Sequence, residues 1–380
     1  MTGSIAADLD DVAAIEAGDP GEMLRAVATS AAQVRSGATA AIEAGVDALA
    51  EEGRPRAVVV TGMGGSAMAG DVLAALAAPR SPVPVVVARG FGLPGWVGAA
   101  DLVVALSCSG STEEMLSAGE EALRRGASVV GIGAAGSPLA HLTDRARGLF
   151  VPVTAVHSPR ATLWSMATPL VAIGAALGLV DPPADAFEAT AERLQGLALR
   201  CQPGSESFLN PAKELALSLA GSVPMAWGAS AIAGVAAYRL ACQWEENAKA
   251  PALSGVLPEA AHNQIVTFDG PWVGTTQDLF ADRVEGEDGS ARLHLLLLRD
   301  GEEHARVAAQ ADAARELAID RGLALTELVA DGASPYERFA SLVGLIDYAS
   351  AYLAVLTRVD PTPIATINAL KSTLRAGLPL

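Results

Sequence analysis

Short apolar runs recur along this chain at intervals that suit strands joined by crossover helices. In the first half they are "AVVVTG" (57–62), "VPVVVA" (83–88), "DLVVALS" (101–107), "SVVGIG" (128–133) and "LFVPV" (149–153), preceded by an Ala-rich helical lead-in over about 20–50. Strands that are apolar throughout, rather than alternating, predict a parallel sheet covered by helices on both faces. A second series follows: strand "VPMAWG" (223–228), a helical run to Lys249, strands "NQIVTF" (263–268) and "ARLHLLLL" (291–298), a helix over 303–321, and strand "LALTELV" (323–329). One α/β architecture is thus expected twice. Between the halves, "DPPAD" and "QPGS" bracket a polar helix that reads as a connector, giving domains over 1–180 and 210–380 with a link at 181–209. The acidic, turn-rich "ADRVEGEDGS" (281–290) reads as a solvated loop.

Two stretches are apolar enough to raise the question of a membrane. Residues 162–180 are interrupted by Ser165, Thr168 and Pro169 and lack close basic flanks on the C-terminal side, so a buried helix is expected there. Residues 335–356 are apolar at helical spacing and read as a core helix rather than a subunit interface.

Composition narrows the picture. At 380 residues and 51% hydrophobic, the chain can build two domains with large cores. Only 18% of residues are charged, yet the net charge is −17, which disfavours nucleic acid or an anionic membrane as a partner. An anionic substrate would need a local positive site. Cys108, Cys201 and Cys242 show no paired spacing, which fits a reducing cytoplasm, and the acidic N-terminus lacks the basic-then-apolar order of a signal peptide. The histidines (141, 157, 262, 294, 304) show no HxH or HExxH spacing, so no metal is expected.

The chemistry begins at "VVVTGMGGSAMAGD" (58–71), a strand running into glycines and one serine. Such turns let backbone amides approach an anion. Gly62, Gly64 and Ala67 match a loose dinucleotide fingerprint, but the second strand ends in Arg89 where a ribose hydroxyl usually meets an acid. Arg89 could instead favour a 2′-phosphate, so an NADP-dependent oxidoreductase stays open on these residues. The third strand runs into a second hydroxyl-rich loop, "SCSGSTEEM" (107–115). Gly64, Gly65 and Ser66 with Ser107, Ser109, Ser111 and Thr112 on adjacent strand ends would cradle a single phosphate. The competing reading is that these hydroxyls cap helices, with Glu113 or Glu114 completing a capping box.

"GMGGSAMAGD" and "SCSGSTEEM" resemble the signatures of sugar isomerase (SIS) domains. Five further segments sharpen that likeness: "SPR" (158–160), "NPAKELA" (210–216), "WEENAKAPA" (244–252), "PEAAHNQI" (258–265) and "DPTPIATINALK" (360–371). In that order, over 58–374, the chain resembles the bifunctional phosphoglucose/phosphomannose isomerase family, including its actinobacterial members. The resemblance implies two tandem SIS domains, a homodimer with shared active sites, hexose 6-phosphate as substrate and no cofactor. It implies that Glu246 is the base that moves a proton between C1 and C2, selected over Glu245 by its spacing of sixteen residues from His262. His262 resembles the ring-opening acid/base supplied by the neighbouring subunit, Lys371 the lysine at the ring oxygen, and Arg160 the cation that stabilises the enediolate. Thr362 could line the sugar pocket or cap the last helix ahead of Pro363, and the cap is the favoured reading. Three positions depart from the family: Gln264 stands where an acid commonly follows "HN", and Cys108 and Ser111 stand where many relatives carry tyrosine and asparagine. Gln264 would weaken the orientation of His262 if that acid holds it. The alternative to an enzyme is a non-catalytic SIS protein that binds a phosphosugar; such a protein would need only the hydroxyl cradle.

Overall fold

The structure, a computed structural model, describes residues 9–51, 53–154, 158–273 and 292–377. Two parallel sheets organise it. The lead-in folds as α1 (Val12–Gly18), α2 (Met23–Ala28) and α3 (Ser30–Ala44). Then come β1 (Val58–Thr61), α4 (Gly65–Ala77), β2 (Val85–Ala88), β3 (Leu102–Ser107), α5 (Glu113–Arg124), β4 (Ser128–Gly133), α6 (Pro138–Arg145), β5 (Phe150–Pro152) and α7 (Leu163–Ala176). The first sheet has the order β2-β1-β3-β4-β5, with Val58 paired to both Val85 and Leu102. All five expected strands of the first half are present. β1 and β3 are buried along their whole length, while the edge strand β2 is only half-buried, as the central and outer places in a doubly covered sheet require.

α8 (Ala186–Arg200) lies in the expected connector and packs against α3 and the later helix α12, burying Ala186, Thr190, Ala191 and Leu194. The second half continues with α9 (Pro211–Leu219), β6 (Ser222–Gly228), α10 (Ala231–Gln243), β7 (Leu253–Val256), β8 (Arg292–Arg299), α11 (Ala305–Asp320), β9 (Ala324–Val329), α12 (Pro335–Leu356) and α13 (Ala365–Gly377). Its sheet has the order β7-β6-β8-β9, again parallel.

One expected strand is wrong. Residues 264–269 form a 3₁₀ helix, Gln264–Asp269, and the edge strand is instead Leu253–Val256. Phe268 turns inward to stack on Trp227 of β6 with ring centroids 5.6 Å apart and planes 12° from parallel, a placement that the helical turn allows. The loop expected at 281–290 lies outside the described residues.

Both apolar helices are core. α7 is buried along nearly its entire length, and α12, although long and apolar enough by composition to cross a membrane, has 89% of that window buried. α12 packs on α8, α9 and α10, so one hydrophobic core joins the two halves.

β8 also buries His294, whose Nε2 lies 2.9 Å from Thr326 Oγ1 on β9. Burial pushes its imidazole below the ordinary value, opposed by a backbone contact at Ser218. The unfolded chain therefore binds the proton more readily, and stability present above about pH 6.5 should fall as the pH drops below it. Urea midpoints measured from pH 7.5 to 5 should show this loss, and His294→Gln should flatten it; an unchanged slope in the variant would refute the assignment.

Candidate active site

In the first sheet the chain reverses its direction of travel between β1 and β3, and the crevice outside the carboxyl ends of those strands is where open α/β sheets receive ligands. The two predicted loops meet there. Thr61 pairs with Ala105, and a Cβ on Gly62 would come 3.0 Å from the Leu106 carbonyl. Gly64 turns the chain at φ +53°, a left-handed conformation that glycine adopts without steric cost, and hands it to α4, whose first turn carries Gly65 and Ser66.

Across the crevice, Ser107 Oγ lies 2.9 Å from Thr112 Oγ1 and 3.4 Å from Ser109 Oγ, and Ser109 Oγ lies 3.0 Å from Ser111 Oγ. Thr112 occupies the N-cap position of α5 but makes no capping bond, so its hydroxyl faces the cluster rather than its own helix. The capping alternative fails at that residue. Ser111, a departure from the family, extends the row of hydroxyls. Cys108, the other departure in this loop, is buried with its Sγ 3.4 Å from Thr162 Oγ1.

The mouth of the second sheet differs. There Arg338 Nε bonds buried Asp300 at 2.7 Å, while Glu303 accepts from the Asp300 amide at 2.7 Å and also pairs with Arg299. With Glu302 also at this mouth and paired with Arg338, carboxylate–arginine pairs stand where the first sheet presents hydroxyls.

The segment carrying Arg160 packs onto the first loop: a Cβ on Gly65 would come 3.3 Å from the Pro159 carbonyl. Arg160 is 4% exposed, and its Nη1 lies 3.6 Å from Glu246 Oε2. Its Nη2 donates to the Pro361 and Thr362 carbonyls at 2.5 and 2.6 Å, while its buried Nε has no hydrogen-bond partner among the described residues. Burial pulls the guanidinium below its ordinary value, countered by Glu246, and an arginine stays charged under any working condition. Thr362 is not the cap expected from sequence, because its Oγ1 is buried with no hydrogen-bond partner among the described residues and its carbonyl serves Arg160.

Glu246 sits on a single π-helical turn, Trp244–Ala248, that closes α10; such turns are frequent at functional sites. Glu246 is half-buried and faces Arg160, whereas Glu245 is exposed. α12 holds both partners from beneath. Its Asp347 takes bonds from Arg239 Nε at 2.9 Å and Nη2 at 3.0 Å, and from Gln243 Nε2 at 2.9 Å; Arg239 Nη2 also donates to the Arg160 carbonyl at 2.5 Å. One turn on, Ser350 Oγ receives Asn247 Nδ2 at 2.9 Å, fixing the residue next to Glu246. Arg239, Asp347, Gln243 and Asn247 escaped sequence reasoning; a buried Arg–Asp pair between two apolar helices is a signal only once the topology is known.

His262 ends a 3₁₀ turn, Glu259–His262, and is exposed; Lys371 is exposed on α13. Among the described residues neither makes a hydrogen bond or ion pair with Glu246 or Arg160, so one chain brings together Glu246, Arg160 and the hydroxyl loops but leaves these two apart. Gln264 does not face His262. Its Oε1 accepts from Trp227 Nε1 at 2.6 Å and its Nε2 donates to the Ser254 carbonyl at 3.0 Å, two bonds that need an amide, since an ionised carboxylate cannot donate. Arg89 is ion-paired with Asp71, so the cation invoked for a 2′-phosphate is already engaged.

The chain is similar in sequence to curated proteins of known name. A protein of Caldicellulosiruptor bescii named bifunctional phosphoglucose/phosphomannose isomerase is 34% identical over 317 residues, covering 83% of this chain and 89% of the relative. The chain belongs to the bifunctional phosphoglucose/phosphomannose isomerase family. A second such isomerase, from Aquifex aeolicus, is 29% identical over 84% of this chain and 91% of its own length. Residues 208–374 match the bacterial phospho-glucose isomerase C-terminal SIS domain. Among solved structures, a hypothetical protein from Thermus thermophilus superposes with TM-score 0.68 at 15% identity, over 99% of this chain and 95% of that one. The C-terminal domain of glucosamine-fructose-6-phosphate aminotransferase from Francisella tularensis superposes with TM-score 0.66 at 13% identity, over 90% and 98%. These two share the overall fold of the chain, two parallel sheets flanked by helices; the SIS assignment of the second half rests on the family model, and membership of the isomerase family on the Caldicellulosiruptor relative.

Proposed function

We propose that this chain interconverts fructose 6-phosphate with glucose 6-phosphate or mannose 6-phosphate. The observation that carries this reading is the Glu246–Arg160 pair at 3.6 Å, packed against the Gly65 loop. In the proposed reaction Ser66, Ser107, Ser109 and Thr112, with the Gly64 and Gly65 backbone, hold the phosphate. Glu246 takes the proton from C2 of the aldose, an enediolate forms beside Arg160, and the same carboxyl returns the proton to C1. The hydroxyl proton that must move between O1 and O2 stays within the substrate or passes through the site. His262 of the neighbouring subunit and Lys371 open the ring in a cytoplasmic homodimer. The exposure of Ile367, Leu370 and Leu374 along one side of α13 supports a partner over that helix.

A coupled assay with fructose 6-phosphate on chelator-treated protein tests the class: turnover is expected to survive the chelator, and no turnover on any hexose phosphate would refute it. Ser107→Ala and Ser109→Ala should each raise KM about tenfold with kcat nearly kept, as expected when one hydrogen bond to a charged group is lost. An unchanged KM in both would remove the phosphate from this loop.

A further inference from the structure

We propose that Lys249 is a positioning residue that holds the Glu246 turn in register with Arg160, an inference that rests on the isomerase reading above. Lys249 follows the π turn with φ +56°, a left-handed conformation that costs a non-glycine residue roughly 1 kcal/mol and that glycine would take freely. A lysine in a conformation that glycine would take more readily points to work done by its side chain. Its Nζ donates to the Glu246 carbonyl at 2.6 Å, the Asn247 carbonyl at 3.3 Å and the Pro361 carbonyl at 3.1 Å, which uses all three ammonium hydrogens. The first two acceptors belong to the turn that carries Glu246, whose last carbonyls would otherwise be orphaned where the helix ends. The third is the carbonyl that also receives Arg160 Nη2.

One ammonium therefore ties the turn under the proposed base to the carbonyl that anchors the proposed cation. Two cations converging on one carbonyl repel, and the carboxylates of Glu246 and Asp360 offset that repulsion at both Lys249 and Arg160. Desolvation, and then the charge of Arg160, hold the Lys249 ammonium below the ordinary lysine range. With its three hydrogens committed to carbonyls, Lys249 has none left for the sugar, so its role is geometric rather than catalytic.

The test compares Lys249→Gly and Lys249→Arg in the full chain. Lys249→Gly removes the ammonium and the backbone strain together, so its thermal midpoint should hold while kcat falls about ten- to hundredfold, the order expected for a misplacement near 1 Å. KM should stay within about twofold, because the phosphate loops lie on other elements. Lys249→Arg should recover most of kcat. Full kcat in Lys249→Gly, or an equal loss in both variants, would overturn the proposal. A crystal structure of Lys249→Gly supplies a readout independent of turnover: a shifted Glu246 turn supports the proposal even if the wild type proves inactive on hexose phosphates, and an unchanged Glu246–Arg160 separation overturns it.

Discussion

Glu246→Gln is expected to cut kcat by about a hundred- to ten-thousandfold while leaving KM and the thermal midpoint close to those of the wild type. The amide keeps the size of the side chain but cannot accept the carbon proton, and that range is the usual contribution of a positioned acid/base group. Little stability is at stake, since the carboxylate is about one-third exposed and its ion pair with Arg160 spans 3.6 Å. The measurement is a coupled assay, run beside proton NMR in deuterated water, where washout of the C2 hydrogen should vanish with turnover. Glu245→Gln is the control. If Glu246→Gln kept more than about a tenth of activity while Glu245→Gln lost it, the proposed base would move one residue along the turn.

Much of this framework is written in local pattern. The β1 and β3 runs are apolar throughout because both faces of a central parallel strand are buried, and the glycine and hydroxyl loops follow them directly, so the crevice at the β1/β3 reversal can be read from the chain. The edge of the second sheet could not be read that way. "NQIVTF" is rich in β-branched and aromatic residues like a strand, but Gln264 and Phe268 are four residues apart, a helical spacing that places both against Trp227. The true strand, Leu253–Val256, is four residues long with Ser254 and Gly255 at its centre, too short and too weak in β preference to stand out. Nor does local pattern reveal the support of the site. Arg239 and Asp347 are 108 residues apart, and Arg160 and Thr362 are 202 apart, so only the packing of α10, α12 and the turn before α13 brings them together. The same distance in sequence explains why Thr362 reads as a helix cap when its neighbour in space is a guanidinium.

Asp347→Ala should be the most destabilising single change at the site. Asp347 and Arg239 are 3% and 2% exposed, and removing the carboxylate strands a guanidinium in the main core together with the amide of Gln243. Breaking a buried pair from one side costs about 3–5 kcal/mol, a large share of the 5–15 kcal/mol that holds a typical domain together. The urea midpoint should drop accordingly with little change in slope. Arg239→Met/Asp347→Leu removes both charges, and apolar replacement of a buried pair is often neutral or stabilising, so the double variant should regain most of the lost stability. Activity should not return with it, because Arg239 Nη2 also donates to the Arg160 carbonyl at 2.5 Å, a bond that methionine cannot supply. Stability restored without kcat would separate the role of Arg239 in folding from its role in holding Arg160. Recovery of both would mean that the Arg160 backbone is fixed by its own side-chain bonds to residues 361 and 362 alone.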